Sequence, residues 1–402
     1  MTTPTTTVDL LSEVDQYSAR NYLPLPIVLE RGEGEWVWDV DGKRYLDCLA
    51  AYSALNQGHR HPAIIAAARK QLDRLTLTSR AFHNDQMGPF LREVCELAGY
   101  ERALPMNTGA EAVETAIKAV RRWGYRVKGI PADRAEIIVC ANNFHGRTTT
   151  IVSFSTEESY REDFGPLTPG FVVVPFGDID ALAGAITPNT AAFMVEPLQG
   201  EGGVIVAPKG YLAGAAELCR EHNVLLVADE IQTGLGRTGK MFACEWEGVH
   251  PDVLVLGKAL GGGVYPVSVM LADAPVMDMF APGDHGSTFG GNPLGAAVGR
   301  AALKVLVDER LEKRAQELGS WFMDELRALG SPHVEEVRGQ GLMIGVVIKQ
   351  SSGTARPFCE ALAHRGILCK ETHEQVIRFA PPLTVAKEAL EWALGEVREV
   401  LK

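Results

Sequence analysis

No apolar run in this chain reaches the roughly 18–20 residues needed to span a bilayer, so no membrane-crossing helix is expected. Basic residues are the minority, 39 Lys and Arg against 51 Asp and Glu. They form no stripe able to neutralise phosphates, and the net charge of −12 argues against a nucleic-acid partner. Cysteine is sparse: seven residues, at 48, 95, 140, 219, 244, 359 and 369, odd in number and without a CxxC pair. A disulfide framework is therefore not expected, and the thiols read as small buried groups in a reducing compartment. No metal centre, internal repeat or low-complexity tract is read. No targeting segment is expected in the opening residues, because Asp9, Glu13 and Asp15 precede the first arginine, Arg20, which is the wrong charge for a signal or transit peptide. That absence suggests a cytoplasmic protein of bacterial type. Only the opening MTTPTTT is polar without periodicity and reads as an unordered tail.

What is present is an ordinary globular composition, 46% hydrophobic and 22% charged over 402 residues, long enough for two structural units. The first fifty residues read as short strands, with a hairpin in GEWVWDVDGKRYLD around Asp41-Gly42. From about residue 60, helical stretches alternate with short, almost continuous apolar runs (AEIIVCA, AAFMVEP, VLLVADE, VLVLGKAL, VSVMLAD). Runs of that kind suit parallel strands buried on both faces, and the alternation predicts a large α/β domain with a mixed, mostly parallel sheet flanked by helices. The last hundred residues read as a smaller α+β unit. The expected division is an N-terminal segment 1–52 packing with the small unit, a large domain 53–295 and a small domain 296–402.

Two charged residues end apolar strands. Asp229 closes VLLVADE, where open α/β sheets place ligands, and its burial demands a compensating cation. A helix cap or structural ion pair would account for Asp229 equally well. Lys258 closes VLVLG and is followed by Ala and Leu, then by glycines. A lysine near a core loses pKa and becomes an amine able to form a Schiff base with an aldehyde. A P-loop does not fit, because Asp252 stands where its first glycine belongs and Ala259 where Ser or Thr belongs. Together the pair suggests pyridoxal 5'-phosphate, which needs a lysine for its aldehyde and an acid for its ring nitrogen. Its phosphate would sit on a helix N-terminus. MNTGAEAVETAIKA offers one, with Thr108 and Glu111 as a capping box and the small residues Gly109 and Ala110 in the first turn. A competing signal is GLGRTG, in which Gly234, Gly236 and Gly239 satisfy a dinucleotide fingerprint that an NAD-dependent dehydrogenase would use. The following KMFACEWEG makes a poor helix, and Asp229-Glu230 would set carboxylates beside a pyrophosphate.

From about Tyr17 to Pro382 the motifs resemble those of the class III, fold-type I aminotransferases. They include PMNTGAEAVETAIK, NFHGRT, AAFMVEPLQGEGGV, ADEIQTGLGRTGK, LGKALGGGVYPVS and HGSTFGGNPLG. NYLPLPIVLERGEGEWVWDVDGKRYLD, AYSALNQGHRHP, LTLTSRAFHN and VIRFAPPL point to the ornithine branch. The resemblance implies that Lys258 carries the cofactor and shuttles protons, and that Asp229 pairs with the ring nitrogen. It implies that Gln232 bonds the phenolic oxygen, Phe144 stacks on the ring, and Gly109 and Ala110 hold the phosphate. Thr288 would reach the phosphate of a neighbouring subunit, which makes a homodimer the expected working form.

The substrates implied are ornithine, 2-oxoglutarate and glutamate. Ornithine presents a carboxylate far from its reacting δ-amine, whereas 2-oxoglutarate reacts beside its α-carboxylate. Arg147 would take the distal carboxylate with help from Tyr22, and Arg378 the near one. Glu201 would mask Arg378 while ornithine is bound, with Tyr52 lining the switch. His145 departs from the pattern, since some ornithine enzymes have Trp there, and F-H-G-R also occurs in the acetylornithine branch. Tyr22 and Tyr52 favour ornithine, with N-acetylornithine or another ω-amino acid as the alternative.

Overall fold

Five strands with parallel neighbours end on one edge of a single sheet, and that edge positions the chemistry. The computed structural model describes residues 6–402. The seven-stranded sheet runs in the order Arg102–Met106, Ser268–Ala272, Val253–Leu256, Leu225–Asp229, Thr190–Val195, Glu136–Cys140 and Phe171–Val174. Only Ser268–Ala272 runs against its neighbours. The central strands are buried along their whole length, which explains their continuous apolar sequences. Each fully buried Val, Leu or Ile there contributes roughly 1.5–3 kcal/mol. Helix Gly109–Trp123 covers one face of the sheet through Val113, Ile117 and Val120, and helix Tyr211–Glu221 packs through Leu212 and Ala215 into a separate cluster.

The hairpin expected around Asp41-Gly42 forms as Trp36–Asp39 against Arg44–Asp47. Gly42, at φ +82°, takes the left-handed position that the turn requires. Leu29–Glu33 adds on one side, and on the other Leu46 pairs in parallel with Ile367, so the N-terminal hairpin shares a sheet with C-terminal residues. A second sheet joins Val334–Gln340, Met343–Ile348, Val376–Phe379 and Lys370–Thr372.

One expectation for the first fifty residues fails. Thr7–Tyr17 is a helix, opened by Thr6, whose hydroxyl accepts from the Asp9 N–H. None of its residues is buried, although Leu10, Val14 and Tyr17 recur at helical spacing. The rest of the expected unordered tail, residues 1–5, lies outside the described residues. All seven cysteines are free and buried. Among the described residues no helix is long and apolar enough to cross a membrane.

Candidate active site

The carboxyl ends of the parallel strands surround a cavity of about 200 Å³. Gly109, Ala110, Phe144, Asp229, Gln232 and Lys258 all line it, so six residues singled out for a cofactor meet in one place. Thr288 does not line it; it stands exposed on the loop that carries GSTFGGN.

Lys258 follows the strand Val253–Leu256 after an extended Gly257 and takes φ +42°, a left-handed conformation costly for a side chain with a Cβ. Burial pulls its ammonium below the usual lysine range, with the charges of Glu201 and Asp229 partly restoring it. Among the described residues its Nζ has no hydrogen-bond partner, so the amine is uncommitted. Asp229 is buried; its Oδ1 accepts from the Ile231 N–H at 3.1 Å, and its Oδ2 lies 2.6 Å from His145 Nδ1. Burial disfavours the imidazolium, but the hydrogen bond and charge of Asp229 outweigh it and leave the His145 pKa raised. His145 Nε2 is buried without a partner.

Two of these residues were not singled out from the sequence. His145 served there only to separate branches, yet it is the group that backs Asp229. Glu196, buried at the end of the strand Thr190–Val195, accepts from the Phe144 N–H at 2.9 Å. Burial pushes its carboxyl up to about 8. The signal that found Asp229, an acid closing an apolar run, is present in AAFMVEP as well.

At the start of the helix Gly109–Trp123, Thr108 Oγ1 accepts from the Glu111 N–H at 3.2 Å, while the Glu111 carboxylate accepts from the Thr108 N–H at 2.7 Å. The capping box closes as expected, and the first-turn amides of Gly109 and Ala110 stay small and open to the cavity. An uncommitted amine, a buried acid and a capped helix end fit the aldehyde, ring nitrogen and phosphate of pyridoxal phosphate.

Arg378 is 1% exposed and donates Nη1 to Glu201 Oε1 at 2.6 Å. Burial alone would raise the Glu201 pKa, but Arg378 outweighs it and holds the carboxylate low. Gln232 Nε2 donates to the same Glu201 oxygen at 3.1 Å and to the Tyr52 carbonyl at 3.3 Å. A Cβ at Gly200 would lie 1.7 Å from Gln232 Oε1, so a side chain there would displace that amide. Tyr52 sits in a run of four left-handed residues, Ala50 to Ser53, whose start is pinned by Asp47 accepting from the Leu49 and Ala50 N–H groups. Its ring centroid lies 5.1 Å from the Arg378 guanidinium carbon. Tyr22 is exposed and shares with Tyr52 a second, mostly apolar cavity of about 380 Å³. Arg147 is exposed, over the rings of Phe144 and Tyr160.

GLGRTG does not open a helix. A short 3-10 turn, Ala243–Glu247, follows, and the fully buried Arg237 fills the segment, donating to Asn56 Oδ1 and to the carbonyls of Leu342 and Pro381. No dinucleotide geometry remains.

The family described as aminotransferase class-III matches residues 17–401. An ornithine aminotransferase of Geobacillus sp. (strain WCH70) is 58% identical over 394 residues, 98% of each chain. The solved ornithine aminotransferase of Toxoplasma gondii superposes with a TM-score of 0.98 at 48% identity, covering 99% of this chain and 94% of that one. An acetylornithine aminotransferase from Elizabethkingia anophelis reaches a TM-score of 0.89 at 46% identity over 98% of both chains.

Proposed function

The chain belongs to the class-III aminotransferase family, and on that premise we propose that it transfers the δ-amino group of L-ornithine to 2-oxoglutarate. The products are glutamate and glutamate 5-semialdehyde, which cyclises to pyrroline-5-carboxylate without the enzyme. When bound, pyridoxal 5'-phosphate supplies an aldehyde for the amine and a conjugated ring that takes up the electrons left when a substrate proton departs.

Lys258 would hold the cofactor through its aldehyde and would serve as the base at the reacting carbon; its lowered pKa raises the neutral amine fraction this needs. Asp229 keeps a positive charge on the ring nitrogen, and His145 fixes the orientation of that carboxylate. Phe144 would cover the ring, and Gly109 and Ala110 would bind the phosphate with first-turn amides. Gln232 reaches both the phenolic oxygen and the gate, since its amide already touches Glu201.

The observation that carries the substrate assignment is the unequal state of two arginines. Arg378, the receptor beside the reacting centre, is covered by Glu201 at 2.6 Å. Arg147, further out, is exposed and has no acid partner among the described residues. A δ-amine with a remote carboxylate needs the outer receptor open and the inner one masked. 2-Oxoglutarate needs both, so Glu201 swings away in the second half-reaction. Tyr22 helps to hold ornithine, and Tyr52 lines the gate. We take the working form to be a cytoplasmic homodimer in which Thr288 completes the neighbouring phosphate site.

The test is kcat/KM for ornithine, N-acetylornithine and 4-aminobutyrate, each with 2-oxoglutarate. Ornithine is expected to lead the panel, and a clear lead for N-acetylornithine overturns the assignment.

A further inference from the structure

The open arginine is not held by an acid. The guanidinium carbon of Arg147 lies 3.5 Å from the centroid of the Tyr160 ring and 5.6 Å from that of Phe144. The two rings meet edge to face, 6.3 Å apart at 82°. Among the described residues Arg147 makes no hydrogen bond to any acceptor. Tyr160 closes a single 3-10 turn, Glu158–Tyr160, in a segment tied back at several points. The Asn142 N–H donates to Thr156 Oγ1 at 2.8 Å, the Glu157 N–H to Ser155 Oγ at 3.1 Å, and the Thr168 N–H to Ser153 Oγ at 2.8 Å. The platform under Arg147 is thus anchored on both sides of the turn.

We propose that Tyr160 is a positioning residue for the distal carboxylate: its ring face holds the Arg147 guanidinium in place while leaving every N–H donor free. The proposal rests on the reading that Arg147 receives that carboxylate. A cation over an aromatic face is attracted by the ring quadrupole without spending a donor, whereas an ion pair would neutralise the charge that the substrate needs. The two arginines are therefore held in opposite ways. Arg378 is closed by a carboxylate that must leave, and Arg147 is kept open by a ring that stays. Phe144 meets Tyr160 edge-on, so the platform also sets the outer receptor relative to the residue that covers the cofactor ring.

The test compares Tyr160→Phe, which keeps the ring, with Tyr160→Leu and Tyr160→Gln, two ringless variants read in parallel in case one folds poorly. Each is measured as holoenzyme for KM and kcat with ornithine and 2-oxoglutarate, and by calorimetry for the binding of glutarate, a dicarboxylate that cannot react. The ringless variants are expected to raise both KM values and the glutarate Kd by about 2- to 30-fold, with kcat little changed. Tyr160→Phe is expected to stay near wild type, and in an Arg147→Ala background the ringless change is expected to add nothing. A Phe variant as weak as Leu, a loss confined to kcat, or full additivity with Arg147→Ala overturns the proposal. If wild-type enzyme does not turn over ornithine but the glutarate series behaves as expected, the substrate assignment fails and the platform stands.

Discussion

Glu196 is buried and Glu201 half-buried in one site, and their surroundings send them in opposite directions. Glu201 faces Arg378 and stays ionised, so it can act as a removable cover. Replacing it by alanine frees Arg378 for the near carboxylate of α-amino donors. Glu201→Ala is expected to shift the ratio of glutamate to ornithine activity roughly 10- to 100-fold toward glutamate, the scale of one charged hydrogen bond. An unchanged donor ratio in steady-state kinetics would speak against the gate. Burial holds the Glu196 proton up to about 8, against the opposing pull of the nearby His145 and Lys258 charges. The folded state then binds a proton that the unfolded chain has released above about 4.5. Its contribution is full at low pH and is lost as pH rises through the window from about 4.5 to 8, and the raised His145 works in the same direction. Thermal melts of the cofactor-free protein from pH 5 to 8 should fall with pH, and Glu196→Gln should flatten that fall, by on the order of 1 kcal/mol per pH unit. Lys258 and Asp229 stand out in the sequence because a charge at the end of an apolar strand contradicts its neighbours. His145 does not, because a histidine in a polar loop is unremarkable until the fold brings it 2.6 Å from Asp229.

Among the elements, the helix Gly109–Trp123 links local sequence most directly to ligand binding. Its capping box satisfies the outer donors and leaves the first-turn amides for an anion. Thr108→Ala is expected to cost about 1 kcal/mol of stability. It should also weaken cofactor phosphate binding, seen as faster loss of the near-visible absorbance on dialysis; unaltered retention would remove that helix end from the phosphate site. The left-handed run Ala50 to Ser53 is the contrasting case. Nothing in AAYS announces four positive φ values, since left-handed backbone disfavours residues with a Cβ. The turn is held locally by Asp47 at its start, with His59 behind Asp47 at 2.8 Å, and from a distant segment by Gln232 at the Tyr52 carbonyl. The helix Thr7–Tyr17 differs again: its apolar residues recur at helical spacing in the sequence, yet the chain buries none of them.

At the scale of the whole molecule, surface and interior each hold features outside the site. Leu75, Leu77, Phe82 and Phe289 are exposed apolar side chains, and the Asn84 amide donates to the Gly291 carbonyl, tying the segment before it to the loop of Thr288. If that surface is the dimer face, Phe82→Asp should shift the protein toward monomer in sedimentation and weaken its hold on the cofactor together. An unchanged dimer would place the interface elsewhere. Inside, Arg237 joins Asn56, Leu342 and Pro381, three segments far apart in sequence. The GLGRTG that looked like a nucleotide loop is a structural knot, packed so closely that a Cβ on Gly341 would lie 2.4 Å from the Thr238 backbone. The sequence by itself determined the strands, the capped helix, the sheet class and the strand-end pair Asp229 and Lys258, because periodicity, capping and misplaced charge are local properties of the chain. Only the tertiary structure decided that His145 and Glu196 stand behind Asp229 and Phe144 and that Arg147 lies open on Tyr160, and it gave the expected cover of Arg378 by Glu201 its 2.6 Å geometry. Those are contacts between residues distant in the chain, and their chemistry depends on burial and distance that no local pattern records.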